Sequence, residues 1–252
     1  MRSRLLDMGQ VGPVRAYSVP HAVTAGLGPE SEPVLILANP ASSVVSLDQT
    51  ADVATEIDLA SCTERRIPVI RRWGGLGANL VGPSHLLLAF GFSRSRAREL
   101  GLPEDAEDLV KRYCQAISSA VRGLGGRADS IPSGGVGIDG REVAHIDLLT
   151  FDDSFCCLAG LAIETNEDLH DSVIRRPLSE PSTALRREID PSPDANTVAE
   201  AAVGALEKQF GLELVPSMPQ PHELEAIYEW DLRLRLEEGA GIEEQTPAGV
   251  AQ

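Results

Sequence analysis

The sequence predicts an α+β fold in which a mixed, largely antiparallel β-sheet is flanked by helices. Predicted strands are grouped in the middle of the chain with helices interspersed, and a tight turn at Asp139 and Gly140 marks a hairpin near the centre. This order suits a mixed sheet better than a strictly alternating, doubly wound one. The chain has 252 residues, of which 42% are hydrophobic, enough for one large domain with a buried core.

The first half of the chain carries short apolar runs that are typical of buried strands. They cover residues 34–38, 67–72 and 85–91, and residues 57–66 are predicted to form a short helix before the second of them. A longer helix is predicted over residues 104–124, because Leu109, Tyr113, Ile117 and Val121 recur on one helical face. Glycines end it.

In the second half, residues 136–138 and 143–149 are predicted to pair around the central turn, and residues 154–164 form another apolar strand. A polar, Pro-rich connector over residues 177–193 follows. Two helices complete the fold. The first is predicted to be capped by Asn196 and closed by Gly211, and the second covers residues 222–236. The residues of the last helix expected to point inward are Leu224, Ile227, Tyr228 and Leu234.

Composition and charge exclude several classes of function. A net charge of −16 repels nucleic acid and anionic membranes, and no run approaches the roughly 18 apolar residues of a membrane span. The N-terminus has no apolar core of a secretory signal, and the four cysteines have neither a C-x-x-C pair nor zinc spacing. We therefore expect a cytoplasmic protein without a metal site, a nucleic-acid partner or a membrane contact. Residues 237–252 are expected to be an acidic, disordered tail.

A glycine-rich turn is the most informative motif. It begins with Arg71, Arg72 and Trp73 at a strand end and continues through residues 74–79. Glycine lets the backbone approach a ligand closely, successive N–H groups form a concave anion site, and arginine adds forked donors. The motif indicates that a carboxylate or phosphate binds here. The alternative is an ordinary tight turn with two surface arginines.

The order of motifs resembles the lipoate–protein ligase and octanoyltransferase family, whose fold is shared with biotin–protein ligases. The matching stretches cover residues 4–7, 44–49, 56–62, 67–77, 139–144 and 159–169. The resemblance implies a class II synthetase or biotin ligase-like catalytic domain over residues 1–215, with a C-terminal helix over 216–236 packing on it. It also implies that the substrate is held by Arg71, Arg72, Gly74, Gly75, Gly77, Asn79 and Gly160.

The resemblance further implies a reaction and its partners. Lipoate or octanoate would be transferred to a lysine of a small acidic lipoyl carrier domain. A ligase would use ATP, with Mg²⁺ accompanying it, through an acyl-adenylate, whereas a transferase would use an acyl carrier as donor. A second protein subunit is a further expected partner. A biotin ligase-like activity fits the order of motifs less well.

The chain departs from the family where the family has its catalytic lysine. Glu142 occupies the matching position, or Arg141 if the turn slips by one residue, and the only lysines are Lys111 and Lys208. Arginine can replace lysine as a donor but not as a proton-shuttling amine. The catalytic group is therefore unknown from sequence, and an alternative function is a non-catalytic lipoate- or octanoate-binding or regulatory pseudoenzyme.

Cysteine chemistry is a weaker alternative. Cys156 or Cys157 would be the nucleophile, with His145 on the neighbouring strand as base. His145 alternates with Val143 and Asp147 on one predicted strand face. The competing interpretation is that both cysteines are small buried hydrophobic residues and that His145 is structural.

Overall fold

The computed structural model describes residues 1–175 and 181–235. Part of the predicted connector and the predicted acidic tail lie outside these residues. The strands of the described chain are β1 (Arg2–Val11), β2 (Val34–Pro40), β3 (Val44–Asp48), β4 (Val69–Arg72), β5 (Ala78–Val81), β6 (His85–Ser93), β7 (Ala128–Ser130), β8 (Val136–Ile138), β9 (Arg141–Thr150), β10 (Ser154–Ala162) and β11 (Glu213–Pro216).

Helices separate groups of these strands. They are α1 (Arg15–Ala25), α2 (Val53–Glu56), α3 (Leu59–Glu64), α4 (Arg94–Leu100), α5 (Ala106–Gly123), α6 (Glu167–Val173), α7 (Leu185–Glu188), α8 (Ala195–Phe210) and α9 (Pro221–Arg233). In the described ranges, every helix is too short or too polar to cross a bilayer.

The strands form two sheets. The larger has the order β11-β1-β2-β6-β10-β9-β8-β7, and the smaller has the order β4-β3-β5. Strand β1 is parallel to β2 and β11, and β3 is parallel to β4, whereas the remaining pairs are antiparallel. The predicted mixed, largely antiparallel sheet and the hairpin between β8 and β9 are therefore confirmed.

Helices cover both faces of the large sheet. Strand β2 shows the alternation that this requires, since Leu35 and Leu37 lie in one core cluster with α5 and α8, while Val34 and Ile36 lie in another with α1 and α9. Such a strand reads as a continuous apolar run because both of its faces are buried. A third, smaller cluster lies under the β4-β3-β5 sheet.

Two details of the predicted helices are wrong. The cap of α8 is Asp194, whose carboxylate accepts from the N–H of Thr197, and not Asn196. In α9, Leu224 and Tyr228 are 54% and 62% exposed, so they do not point inward.

The inward face of α9 follows a different stripe, formed by Glu223, Ile227, Trp230 and Leu234. Glu223 is buried because it forms a bidentate ion pair with Arg4 of β1, at 2.6 and 2.7 Å. The prediction was right for Ile227 and Leu234, which are buried, and wrong for Leu224 and Tyr228, because a buried carboxylate on the core face interrupts the apolar period of the helix.

Candidate active site

The glycine-rich turn connects β4 to β5 and packs against β9. Gly74, Gly75 and Gly77 all have positive φ, at 147°, 77° and 63°. A Cβ at Gly75 would overlap Oδ1 of Asp147 and lie 2.8 Å from Nε of Arg72, so only glycine lets the turn approach this closely. The lack of a side chain at Gly75 therefore allows the turn to pack directly against strand β9.

Arg72 lies inside the turn and is fully buried. Its Nε is 2.9 Å from Oδ2 of Asp147, Nη1 donates to the carbonyl of Ser46 at 2.7 Å, and Nη2 donates to that of Leu76 at 2.7 Å. Unlike a surface arginine, Arg72 neutralises a buried carboxylate, and its hydrogen bonds to backbone carbonyls stabilise the turn from its interior. Its predicted contact with a ligand stays a prediction.

Arg71 points the other way, toward the loop that follows β3. Its Nη1 donates to the carbonyl oxygens of Asp48, Gln49 and Ala51, at 3.1, 3.1 and 3.0 Å. This contact ties the loop to β4, and a role for Arg71 in ligand binding likewise stays a prediction.

A cleft opens beside the turn, between β5, β6, β9, β10 and the segment that leads into α6. Its internal volume is about 90 Å³, and its mouth is open to solvent. Four residues predicted from the sequence line it, namely Asn79, Glu142, His145 and Gly160. The structure adds polar lining residues that were not predicted as site residues: Tyr17, His85, Asp147, Thr165, Asn166, Glu167, His170, Ser182 and Thr183.

His145 is the charged centre of the cleft wall. Its Nε2 is 3.0 Å from Oδ1 of Asp147, and its Nδ1 is 3.6 Å from Oε1 of Glu142. Burial alone would lower the pKa of His145, but the two carboxylates outweigh it and raise the pKa to about 10. The ring is therefore an imidazolium at neutral pH.

Asp147 joins His145 to Arg72. Burial would raise the pKa of this carboxyl, but the charges of Arg72 and His145 hold it below the ordinary value. The result is a chain of alternating charges that runs from Arg72 through Asp147 and His145 to Glu142.

The cysteines lie outside the cleft lining. Cys156 and Cys157 are fully buried, and burial raises the pKa of Cys156 to about 12 and that of Cys157 well above its ordinary value. The strand partner of His145 in β10 is Gly160, three residues beyond Cys157. The structure does not bring a cysteine and this histidine together, and both thiols are buried as neutral groups.

The other candidate cations are also elsewhere. Arg141, at the tip of the hairpin, forms an ion pair with Glu188 at 2.9 Å. Lys111 and Lys208 lie on α5 and α8. In residues 1–175 and 181–235, no lysine or arginine side chain lines the cleft, and no group of three or more His, Cys, Asp or Glu residues is placed to hold a metal ion.

A buried histidine, His21, binds the first residue after β4, where the glycine-rich turn begins. No sequence pattern predicted this role. The N–H of Trp73 donates to Nε2 of His21 at 3.1 Å, and His21 Nδ1 lies 2.7 Å from the carbonyl of Tyr17. Burial lowers the pKa of His21 to about 4. The neutral ring thus accepts at one nitrogen and donates at the other, which fixes the start of the turn on α1.

Comparison with known proteins places this geometry in a known fold. No protein-family model and no curated protein matches the sequence. A lipoate–protein ligase A solved with ATP has a TM-score of 0.81 at 16% identity, covering 92% of this chain and 95% of that one.

Two further solved structures resemble this chain, one closely and one more distantly. A bi-partite lipoate protein ligase from Thermoplasma acidophilum, studied with its E2 lipoyl domain, has a TM-score of 0.79 at 16% identity, covering 95% and 99% of the two chains. A biotin protein ligase from Aquifex aeolicus in complex with biotin is more distant, with a TM-score of 0.51 at 12% identity over 83% and 70%. The chain has the lipoate–protein ligase fold, as predicted.

Proposed function

We propose that this protein is a lipoate- or octanoate-protein acyltransferase of the ligase fold, acting on a lysine of a lipoyl carrier domain. The observation that carries the proposal is the cleft beside the glycine-rich turn, where Asn79, Glu142, His145 and Gly160 meet. Asn79, Glu142 and Gly160 were singled out from sequence by the resemblance to the family, and His145 as a candidate base. A structural neighbour of 0.79 TM-score is a lipoate ligase with its lipoyl domain.

The cleft suits an acyl chain with a polar head. Val81, Leu87 and Leu158 give it an apolar wall, while Glu142 and His145 give it a polar one. Small-molecule sites have this division, in which apolar side chains supply contact area and a few polar groups fix orientation. Negative charge that develops on an acyl oxygen during transfer is stabilised by a fixed donor in a water-poor site, and the His145 imidazolium is such a donor.

ATP fits the described residues less well than an acyl chain does. A triphosphate needs cations, but the guanidiniums of Arg71 and Arg72 donate to protein carbonyls, and none of the described lining residues is a lysine or arginine. We therefore propose a pre-activated acyl donor, such as an acyl carrier, as the donor to test first. The acceptor is a small acidic lipoyl carrier domain, and a second protein subunit belongs to the same proposal.

The test uses the purified protein with an apo lipoyl domain and two donor systems. One reaction contains ATP, Mg²⁺ and lipoate or octanoate, and the other contains an octanoyl acyl carrier protein. Transfer adds the mass of one acyl group to the carrier, and a carrier whose acceptor lysine is replaced by arginine should stay unmodified. No mass gain with either donor would reject the acyltransferase function.

A second candidate function is supported by one specific observation. Glu142, which lines the cleft, brings a negative charge to the position where the resemblance expects a lysine. This favours a protein that binds lipoate or octanoate derivatives without turnover. Glu142→Lys separates the two candidates, since a variant that gains acyl transfer would mean that the rest of the site is competent and that the wild-type glutamate silences it.

A further inference from the structure

We propose that the polar end of the cleft is built for a neutral acyl amide, of the kind that an acylated lysine carries, rather than for a free carboxylate. The amide oxygen accepts from His145 Nδ1, and the amide N–H donates to the Glu142 carboxylate. The inference rests on the proposed acyl-binding function and names the head group that this site selects.

His145 presents one fixed and one open donor. Its Nε2 is bound to Asp147 at 3.0 Å, and Asp147 is held by the buried Arg72 at 2.9 Å, so the ring cannot turn without breaking an ion-paired chain. Its Nδ1 is 3.6 Å from Oε1 of Glu142, an ion-pair separation at which a direct hydrogen bond is stretched and weak. A ligand atom that lies between the two groups can therefore take a shorter hydrogen bond from Nδ1–H, and the ring lines the cleft.

Glu142 is an acceptor carried on a fixed backbone. Its backbone N–H donates to the carbonyl of Pro181 and its carbonyl accepts from the N–H of Thr183, both at 2.7 Å, which joins this end of β9 to the segment at 181–183. Its Oε2 accepts from Ser133 at 3.4 Å, and Oε1 is the atom that faces the imidazole. A donor and an acceptor therefore stand side by side at the cleft wall, and a primary or secondary amide is a small acyl head group with the complementary pair.

Charge argues against a carboxylate in the same place. The two cations Arg72 and His145 are already balanced by Asp147 and Glu142, the pairs being 2.9, 3.0 and 3.6 Å apart. A free acid would have to share His145 with the Glu142 carboxylate at a separation where like charges repel strongly in a partly buried site. A neutral amide meets no such repulsion and satisfies both groups.

The experiment is a calorimetric titration of the full-length protein at pH 7 with octanamide, methyl octanoate and octanoate. Octanamide should bind about tenfold or more tightly than octanoate, because the acid is repelled by Glu142. Methyl octanoate, which keeps the acceptor but lacks the donor, should fall between them. In Glu142→Gln the preference for octanamide over octanoate should shrink to about threefold or less, since the repelling charge is gone.

The matched control is Glu164→Gln, which removes a carboxylate that pairs with Arg186 outside the cleft lining and should leave the preference unchanged. Octanoate binding as tightly as octanamide to the wild type would overturn the inference while leaving an acyl-binding function intact. So would an unchanged preference in a folded Glu142→Gln. If that variant does not fold, the wild-type comparison decides alone. If none of the three ligands binds, the proposed function itself fails.

Discussion

At the scale of single residues, Gly75 decides whether the buried charges of the site can meet. Its φ of 77° is left-handed, and a Cβ there would overlap the Asp147 carboxylate and crowd Arg72 Nε at 2.8 Å. Gly75→Ala should therefore separate the ion pair and lower the free energy of unfolding by about 3 kcal/mol or more, as expected when a buried pair is broken. Urea unfolding followed by circular dichroism measures this.

Gly101→Ala is the matched control for backbone strain. Gly101 also has a positive φ, 68°, but an added Cβ would meet nothing within 4 Å. Its cost should be limited to the strain of the left-handed conformation, about 1 kcal/mol. Equal losses in the two variants would mean that the contact between Gly75 and Asp147 contributes nothing beyond backbone conformation.

Local sequence patterns predicted some of the residue contacts in the site but not others. Alternation along β9 placed His145 and Asp147 on one face correctly, because a strand's period is local. The pairing of Arg72 with Asp147 joins residues of two different sheets, and no local pattern encodes it. An arginine at a strand end is expected to be exposed, and the burial of Arg72 is evident only from the fold.

At the scale of elements, α9 holds the strand that carries the turn. The N–H of Arg71 donates to the carbonyl of Leu234 at 2.8 Å, just beyond the helix. The ring of Trp230 packs on those of His21, Trp73 and Phe151, with centroid distances of 5.2, 5.6 and 6.0 Å. The helix thus stabilises both Trp73 and the histidine that binds its N–H.

Trp230→Ala should lower the free energy of unfolding by about 3–5 kcal/mol, since it removes a nearly buried indole and leaves a cavity. Tyr228→Ala changes an aromatic residue on the same helix that is 62% exposed, and it should cost about 0.5 kcal/mol or less. Chemical denaturation of both variants gives the comparison. A small loss for Trp230→Ala would mean that α9 is not required for the packing of the turn.

Elements with a clear period could be predicted from the sequence, and elements defined by their neighbours could not. Helix α5 and the β8–β9 hairpin follow from apolar spacing and an Asp-Gly turn. Strand β11 is a four-residue edge strand that is only partly buried, and it pairs in parallel with β1. Its formation depends on a partner more than 200 residues away, so its own residues gave no signal.

At the scale of the whole molecule, the sheet order explains how distant motifs form one site. Strands β9 and β10 are neighbours in the large sheet, whereas β4 and β5, which flank the turn, belong to the small one. An isolated bridge between Gly74 and Leu149 joins the two sheets at the turn. The order of the motifs along the chain predicted that they would meet, but the sheet that carries each of them comes only from the structure.

Net charge is the property of the whole molecule that bears on the proposed acceptor. The chain has 38 acidic and 22 basic residues, so an acidic lipoyl carrier is repelled at long range. Raising the salt from about 10 to about 150 mM shortens the screening length from about 30 to about 8 Å, and should speed association with the carrier several-fold. Stopped-flow binding, or kcat/KM for transfer if the protein turns over, measures the effect.

A carrier whose surface carboxylates are replaced by amides is the control, because it should show a weaker dependence on salt. Buried pairs such as Arg72 with Asp147 are shielded from the solvent, so the same change in salt should leave the site itself almost unaltered. An association rate that falls as salt is added would contradict the prediction. It would mean that the docking surface carries a local positive field strong enough to overcome the net charge of −16.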